Sequence, residues 1–190
     1  PVLGQDINAS ERGFAVQEGA IRFGLGGIKQ VGDNAIEALI KERQLHGRYS
    51  SLLDFCKRVD ARLVNKRLLE SLIRCGAMDS FSETRGQLLA MYEQVQALGS
   101  KLQKDEALGT MSLFGEAEES ADAVAVPQVA DLSDVEKLKD EKEYTGFYIT
   151  GHPLDEYKDI LNQLFELGKA QDNPERLDKK EVTIGGLITN

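Results

Sequence analysis

Residues 26–43 read "GGIKQVGDNAIEALIKER", and this stretch decides the fold of the region around it. From Asp33 to Arg43 the apolar residues recur at the spacing of one helix face. Gly32 stands directly before this helix, and Lys29 lies about one turn earlier. The first N–H groups of a helix lack intrahelical partners and carry the positive end of the helix dipole, and a glycine leaves them uncovered. The pattern therefore predicts a helix start against which a phosphate can lie.

A second interpretation of the same glycines stays open. Gly26, Gly27 and Gly32 also suit tight turns, because glycine adopts backbone conformations that other residues avoid. Two nucleotide-binding loops are excluded: a P-loop needs GK[ST] after its last glycine, and the dinucleotide fingerprint needs three glycines between a strand and a helix. The stretch thus predicts either a contact to a nucleic-acid backbone, which reads no base, or a plain turn.

The helix pattern recurs 33 residues later in the chain. "AIEALIK" at 35–41 corresponds to "LLESLIR" at 68–74, position by position. A self-match at a fixed period indicates a duplicated supersecondary unit.

The second unit differs from the first at its helix start. Asn65 replaces Gly32 and can cap the helix through its side chain. Lys66 and Arg67 follow and can reach a phosphate, although cations at a helix N-terminus oppose the helix dipole. A solvated charged face is the alternative interpretation of these two residues.

The remaining pattern predicts a mainly α-helical chain with a small β-hairpin near its start. Helices are predicted from their apolar period, their capping residues and the glycines that end them. The predicted elements are a hairpin within residues 14–25, a helix capped by Ser51, a helix over 65–75 ended by Gly76, a longer helix over 83–104, a helix from Ser133 to Tyr144, a short strand or extended run at 146–153, and a helix beginning at Pro153.

The net charge of -9 is unevenly distributed. Residues 28–76 hold ten Lys and Arg against six Asp and Glu, whereas residues 105–143 hold three against twelve. This asymmetry favours a basic interaction surface followed by an acidic linker, which we place at residues 105–132.

One apolar cluster, "TMSLF" from Thr110 to Phe114, stands in this acidic tract. A short apolar peptide within a polar tract is typical of a segment that docks into a hydrophobic pocket of a partner protein. Packing of Phe114 against its own domain is the alternative.

No catalytic or metal-binding pattern is present in the sequence. Cys56 and Cys75 lack CxxC spacing and are interpreted as buried, reduced thiols, and His152 is interpreted as part of a turn. No paired carboxylates on one face, Ser-His-Asp set or membrane-spanning run occurs. We expect a cytoplasmic location and, because residue 1 is Pro and the last residues begin a β element, an internal piece of a longer protein.

Five motifs occur in a specific order and spacing: "DIN", "IRFGLGGIKQVG", "NKRLLESLIRCGAMDSF", "SLFG" and "EKEYTGFYITGHPL". Together they resemble the alpha subunits of bacterial replicative DNA polymerase III, over essentially the whole chain. The resemblance implies the end of the fingers at 1–27, a tandem helix-hairpin-helix region at 28–104, the acidic linker at 105–132, a helical connector at 133–180, and the first strand of a truncated OB-fold at 181–190.

The resemblance also implies which residues bind partners. Thr110, Met111, Ser112, Leu113 and Phe114 match the motif that grips the ring-shaped sliding clamp, with Thr110 in place of the usual glutamine. Gln30 replaces the first glycine of the hairpin pattern in the first unit. Contacts to the backbone of duplex DNA are implied for Gly27, Lys29, Gln30, Val31, Gly32, Asn34, Asn65, Lys66 and Arg67.

The function implied is that of a non-catalytic processivity segment. The parent protein would be a DNA-directed DNA polymerase, a nucleotidyltransferase that uses Mg²⁺, with its catalytic aspartates upstream of this chain. The implied partners are primer–template duplex, the sliding clamp and other replicase subunits, without a membrane. Two alternatives remain: a structural connector that touches no DNA, and a helix-hairpin-helix module of a DNA repair enzyme.

Overall fold

The computed structural model describes residues 2–17, 19–108, 124–164 and 186. The predicted mainly α-helical class, with a small N-terminal β element, is confirmed. The strands are β1 Val2–Leu3, β2 Ala15–Gln17 and β3 Ala20–Arg22, and the helices are α1 Asp33–His46, α2 Leu52–Arg58, α3 Lys66–Arg74, α4 Arg85–Ala107, α5 Asp134–Thr145 and α6 Lys158–Leu164. Short 3-10 turns occupy Leu25–Gly27 and Asp155–Tyr157.

Helix boundaries follow the capping residues that the sequence offers. The Ser51 side chain accepts from the Asp54 N–H before α2, and the Asn65 side chain accepts from the Leu68 N–H before α3. Ser133 and Glu136 form a capping box at α5. The predicted caps are therefore confirmed. Beyond α3, Gly76 has a φ of 82°, which is the left-handed conformation that glycine favours after a helix.

The structure reproduces the 33-residue repeat. Helices α1 and α3 begin at Asp33 and Lys66, at the same position of each unit. Their preceding residues are both extended, with φ and ψ of -76° and 149° at Gly32 and -104° and 167° at Asn65. Corresponding apolar positions of the two helices are buried in one core, among them the pairs Ile36 with Leu69 and Leu39 with Leu72.

Helices α1 to α4 share this hydrophobic core, and α4 packs against α2 and α3. Cys56 and Cys75 are buried and free, as predicted, and burial raises the pKa of each thiol to about 12. Gly99 of α4 faces Cys56 at close range, because a Cβ at this glycine would lie 2.7 Å from the Cys56 Cβ atom.

The predicted hairpin is formed by β2 and β3, and a third strand joins it. Strand β1 pairs with β3 in parallel, with Val2 opposite Ile21, and β2 pairs with β3 in antiparallel register, with Val16 opposite Ile21. The sequence analysis did not predict β1, because two residues are too few to show an alternating pattern.

Three segments differ from the predicted elements. Helix α4 continues to Ala107, so residues 105–107 are helical. Residues 127–131 lie against the start of α4, where the Gln87 side chain donates to the Pro127 carbonyl at 3.4 Å. There the Asp131 carboxylate accepts from the Gly86 N–H at 3.0 Å. Of the two alternatives predicted for 146–153, the strand does not form in the part of the chain that the structure describes, and α6 begins at Lys158 and not at Pro153.

Two further predictions lie outside the described residues: Thr110 to Phe114, and the strand at 181–190 apart from residue 186. The predicted domain boundaries stay predictions. Residues 1–149 form one compact unit, and residues 150–190 belong to another. None of the helices within the described ranges is long and apolar enough to cross a membrane.

The close approach of α4 to α2 makes a prediction for Gly99→Ala. Glycine to alanine inside a helix ordinarily stabilises it, by about 1 kcal/mol. Here the new methyl group would meet the Cys56 Cβ at 2.7 Å and its backbone carbonyl carbon at 2.9 Å. We expect the free energy of unfolding to fall by about 1–3 kcal/mol instead.

Denaturant unfolding of Gly99→Ala beside Gln94→Ala, at an exposed position of the same helix, measures this effect. A Gly99→Ala protein as stable as the Gln94→Ala protein would contradict the packing.

Candidate nucleic-acid interface

The start of α1 presents N–H groups with no acceptor. Gly32 provides no side-chain cap, and its carbonyl already accepts from the N–H groups of Ala35 and Ile36 at 3.0 and 3.1 Å. Within the described residues, the N–H groups of Gly32, Asp33 and Asn34 have no hydrogen-bond partner. All three residues are exposed, and a Cβ at Gly32 would meet no atom within 4 Å. This surface therefore has the room and the polarity that an anion requires.

In the hairpin before α1, residues 25–31, more of the N–H groups have hydrogen-bond partners than at the start of α1. The N–H groups of Gly27, Lys29 and Val31 donate to the carbonyls of Gly24, Tyr144 and Ile28, at 3.4, 2.8 and 3.4 Å respectively. The Val31 side chain is buried, whereas the side chains of Lys29 and Gln30 are exposed. The candidate phosphate contacts that remain are therefore the exposed side chains of Lys29 and Gln30 and the N–H groups from Gly32 onward.

Gln30 has a φ of 67°, in the left-handed region that favours glycine. This is the position where the sequence resemblance implies a glycine. The backbone therefore keeps the turn that a glycine would form, and it carries a side chain there at some conformational cost.

The start of α3 is built differently from the start of α1. The Asn65 side chain occupies the Leu68 N–H at 2.9 Å, and the Lys66 ammonium forms an ion pair with Glu93 of α4. This hydrogen bond raises the pKa of Lys66 and lowers the pKa of Glu93, so both groups are charged at neutral pH. The Arg67 guanidinium is exposed and has no partner among the described residues.

Half of the basic residues between 28 and 76 are already paired with carboxylates. Arg58, for example, bonds to Glu42 and Asp54, and Arg74 bonds to Glu70 and Asp140. The positive surface predicted from composition is therefore smaller than the residue count indicates. The exposed cations without a partner in the described part of this stretch are Lys29, Lys41, Arg48, Lys57 and Arg67.

One further cation adjoins the α1 start and was missed by the sequence analysis. The Arg12 guanidinium binds the Asp33 carboxylate through two hydrogen bonds, of 3.2 Å and 2.8 Å. Arg12 thereby offsets the negative charge closest to the free amides. The two residues are 21 positions apart, and no local pattern links them.

The described residues provide no ligand set for the Mg²⁺ that the parent polymerase would use. No group of three or more His, Cys, Asp or Glu side chains in these parts of the chain could hold a metal ion. The start of α1 can bind an anion by hydrogen bonds from its backbone and by charge.

Comparison with known proteins bears on which ligand this surface binds. A family model for the helix-hairpin-helix motif matches residues 1–88. DNA polymerase III subunit alpha of Borreliella burgdorferi is 38% identical over 193 residues, which cover 100% of this chain and 17% of the relative. The subunits of the same name from Vibrio cholerae and Thermus aquaticus are 35% and 40% identical, over 98% and 83% of this chain and 16% and 12% of their own length.

The chain is homologous to one segment of DNA polymerase III subunit alpha. The resemblance found in the motifs is thus confirmed. The chain spans less than a fifth of the length of these polymerase relatives, so it corresponds to a small part of each.

The Arg12–Asp33 pair makes a prediction for the polymerase segment. Asp33→Asn removes a carboxylate beside the free amides and releases the Arg12 guanidinium. We expect it to tighten duplex binding about two- to fivefold in the full-length protein, since a charge at a helix terminus contributes about 0.3–1 kcal/mol.

Fluorescence anisotropy with labelled duplex measures the affinity, and Glu37→Gln, at an exposed carboxylate one turn along α1, is the control. Equal affinity in the two variants would show that no phosphate lies at Asp33.

Proposed function

We propose that this chain is the duplex-gripping and clamp-tethering segment of a replicative DNA-directed DNA polymerase. The observation that carries the proposal is the uncapped start of α1, in a chain homologous along its length to polymerase III alpha subunits. The nucleotidyl transfer itself, and the Mg²⁺ that it uses, belong to the longer polymerase. Other replicase subunits as partners and a cytoplasmic location are part of the same proposal.

The grip would act on the sugar-phosphate backbone. Phosphate oxygens accept from the N–H groups of Gly32, Asp33 and Asn34, and the side chains of Lys29 and Arg67 add charge. Such contacts position the protein on DNA without reading its sequence. They also release counterions, so the affinity falls steeply as the salt concentration rises. A polymerase segment that must move along any template requires both properties.

The tether would be the segment from Thr110 to Phe114. Leu113 and Phe114 serve as apolar anchors in a pocket of the sliding clamp. Clamp docking and duplex binding then act on one polypeptide, so each raises the local concentration of the other partner.

A structural connector without DNA contact is the second candidate. It is favoured by the Lys29 N–H, which already donates to the Tyr144 carbonyl, and by the pairing of half of the basic residues between 28 and 76 with carboxylates. The two candidates differ in the role of the free amides, because a connector has no use for them.

The Gly32→Asn variant separates these candidates by the signs of its two effects. Asn is a better helix cap than Gly, by a few tenths of a kcal/mol, so we expect the free energy of unfolding to rise by about that amount. The same side chain would cover the amides, as Asn65 covers the start of α3. We expect duplex affinity to fall about fivefold or more, since hydrogen bonds to a charged group contribute about 1.5–3 kcal/mol.

Thermal unfolding and duplex titration at several salt concentrations measure both effects in the full-length protein. Gly13→Asn is the matched control, because a Cβ there also meets no atom within 4 Å. A stabilised Gly32→Asn protein with wild-type affinity and salt dependence would support the connector and reject the grip.

Two substitutions in the clamp segment should have opposite effects. Phe114→Ala removes an apolar anchor, and we expect clamp affinity to fall at least tenfold, because buried aromatic anchors dominate such interfaces. Thr110→Gln restores the residue that the motif usually has, and we expect tighter binding.

Surface plasmon resonance with immobilised clamp and the full-length polymerase measures both affinities. Leu108→Ala, at an exposed apolar residue before the segment, is the control. Clamp affinity that Phe114→Ala leaves unchanged would reject the docking assignment.

A further inference from the structure

The first part of the "EKEYTGFYITGHPL" segment, residues 141–149, contributes no atom to the proposed phosphate contact, yet it begins with a fully buried charge. Glu141 has no exposed surface and Arg85 is only 4% exposed. Their Oε1 and Nη2 atoms lie 3.2 Å apart, and the second Glu141 oxygen accepts from the Ile149 N–H at 3.0 Å. Breaking a buried ion pair is costly, so this carboxylate fixes the end of α5 against α4.

A second ion pair holds the same helix to α3. The Arg74 guanidinium lies 3.0 Å from the Asp140 carboxylate, whose side chain is nearly buried. Helix α5 is therefore attached by two adjacent acidic residues, one to each of two core helices.

The chain turns sharply after α5. Gly146 has a φ of 84°, and the Thr145 hydroxyl donates to the Glu141 carbonyl at 2.7 Å and accepts from the Phe147 N–H at 3.2 Å. The last carbonyls of a helix have no partner within the helix. Here the Tyr144 carbonyl accepts from the Lys29 N–H, at 2.8 Å, in the hairpin before α1.

This bond attaches the backbone of residues 28–31 to α5, whereas the earlier part of the hairpin is held by the Leu25 and Gly26 N–H groups, which donate to the Glu11 and Arg12 carbonyls at 2.9 Å. The N–H groups of Ile28 and Val31 donate only to Leu25 and Ile28, within the hairpin itself. Among the described residues, the bond from Lys29 is thus the backbone hydrogen bond that ties residues 28–31 to another element. It lies next to Gln30, whose left-handed backbone persists only where its neighbours hold it.

We propose that the C-terminal turn of α5 positions the phosphate-binding start of α1, with Glu141 as the positioning residue that keeps this turn in place. Duplex affinity then depends on a buried carboxylate that touches no DNA. This inference rests on the proposed function, because it concerns the same amides at Gly32.

The positioning role proposed for Glu141 differs from a general contribution to the stability of the core. The core cluster is built from residues of α1 to α4 and the segments between them, together with Ile7 and the apolar residues of the hairpin before α1, whereas from α5 Tyr144 packs on its edge. Loosening the turn should therefore leave α1 to α4 folded, with Ile28 and Val31 still in the core, while the Lys29 N–H loses its acceptor.

Glu141→Gln in the full-length protein tests this separation. Glutamine has the same size, but its amide nitrogen is a donor, so the side chain cannot accept from both Arg85 and Ile149. Glu143→Gln, two residues further on and exposed, is the matched control. Duplex affinity and residue-resolved hydrogen exchange are measured on both.

We expect Glu141→Gln to weaken duplex binding about fivefold, which is within the range for residues that act on a distant site. The Lys29 amide should exchange at least tenfold faster, while the amides of Leu69 and Leu72 in α3 keep their protection. In a Gly32→Asn background Glu141→Gln should cause no further loss of duplex affinity, because both changes remove the same phosphate contact.

The contradicting results are distinct for the two claims. Wild-type affinity of Glu141→Gln, or a full additional loss in the Gly32→Asn background, would overturn the positioning role and leave the grip intact. Wild-type affinity of Gly32→Asn alone would overturn the grip, and the positioning role with it.

If Glu141→Gln exposes the α3 amides, Thr145→Val provides the same test. It removes the hydroxyl bonds of the turn and leaves the buried ion pair in place. We expect Thr145→Val, like Glu141→Gln, to weaken duplex binding and to speed exchange of the Lys29 amide. The absence of these effects would overturn the proposal.

Discussion

Helix α1 begins without a side-chain cap, and the proposed grip on DNA depends on the N–H groups that this leaves uncommitted. The repeated unit shows the alternative, since Asn65 caps α3 and uses one of the corresponding groups. A glycine cap costs only a few tenths of a kcal/mol relative to asparagine. The chain thus gives up little stability at Gly32, and it gains an open polar surface where the second unit has a closed one.

Charge supports this surface locally, although the chain as a whole is acidic. The net charge of -9 would repel DNA at long range. Salt screens distant charges, however, so a bound phosphate interacts mainly with the charged groups beside it. At the α1 start, Arg12 offsets Asp33 and Lys29 remains unpaired in the described structure. At the α3 start, Glu93 already neutralises Lys66, which leaves Arg67 as the exposed cation. The first unit is therefore the better-suited half of the tandem.

Local signals in the sequence predicted most of the helical fold. Ser51, Asn65 and Ser133 cap the helices that they were expected to cap, and the 33-residue period places α3 as well as α1. These features depend on residues within one or two turns of each other. The motifs also indicated the polymerase family, because their order extends along the whole chain.

The contacts that position the site could not be predicted in this way. Arg12 reaches Asp33 across 21 residues, Arg85 reaches Glu141 across 56, and the Tyr144 carbonyl holds the Lys29 amide. Each joins segments that only the tertiary fold brings together. For the same reason the residue count overstated the basic surface, since it cannot show which cations already have partners.

The most direct measurement is hydrogen exchange at Gly32, Asp33 and Asn34 in the full-length protein, with and without bound primer–template duplex. If these amides bind phosphate, their exchange slows when duplex binds and recovers when high salt releases it. Unchanged exchange at all three amides while the duplex stays bound would contradict the account.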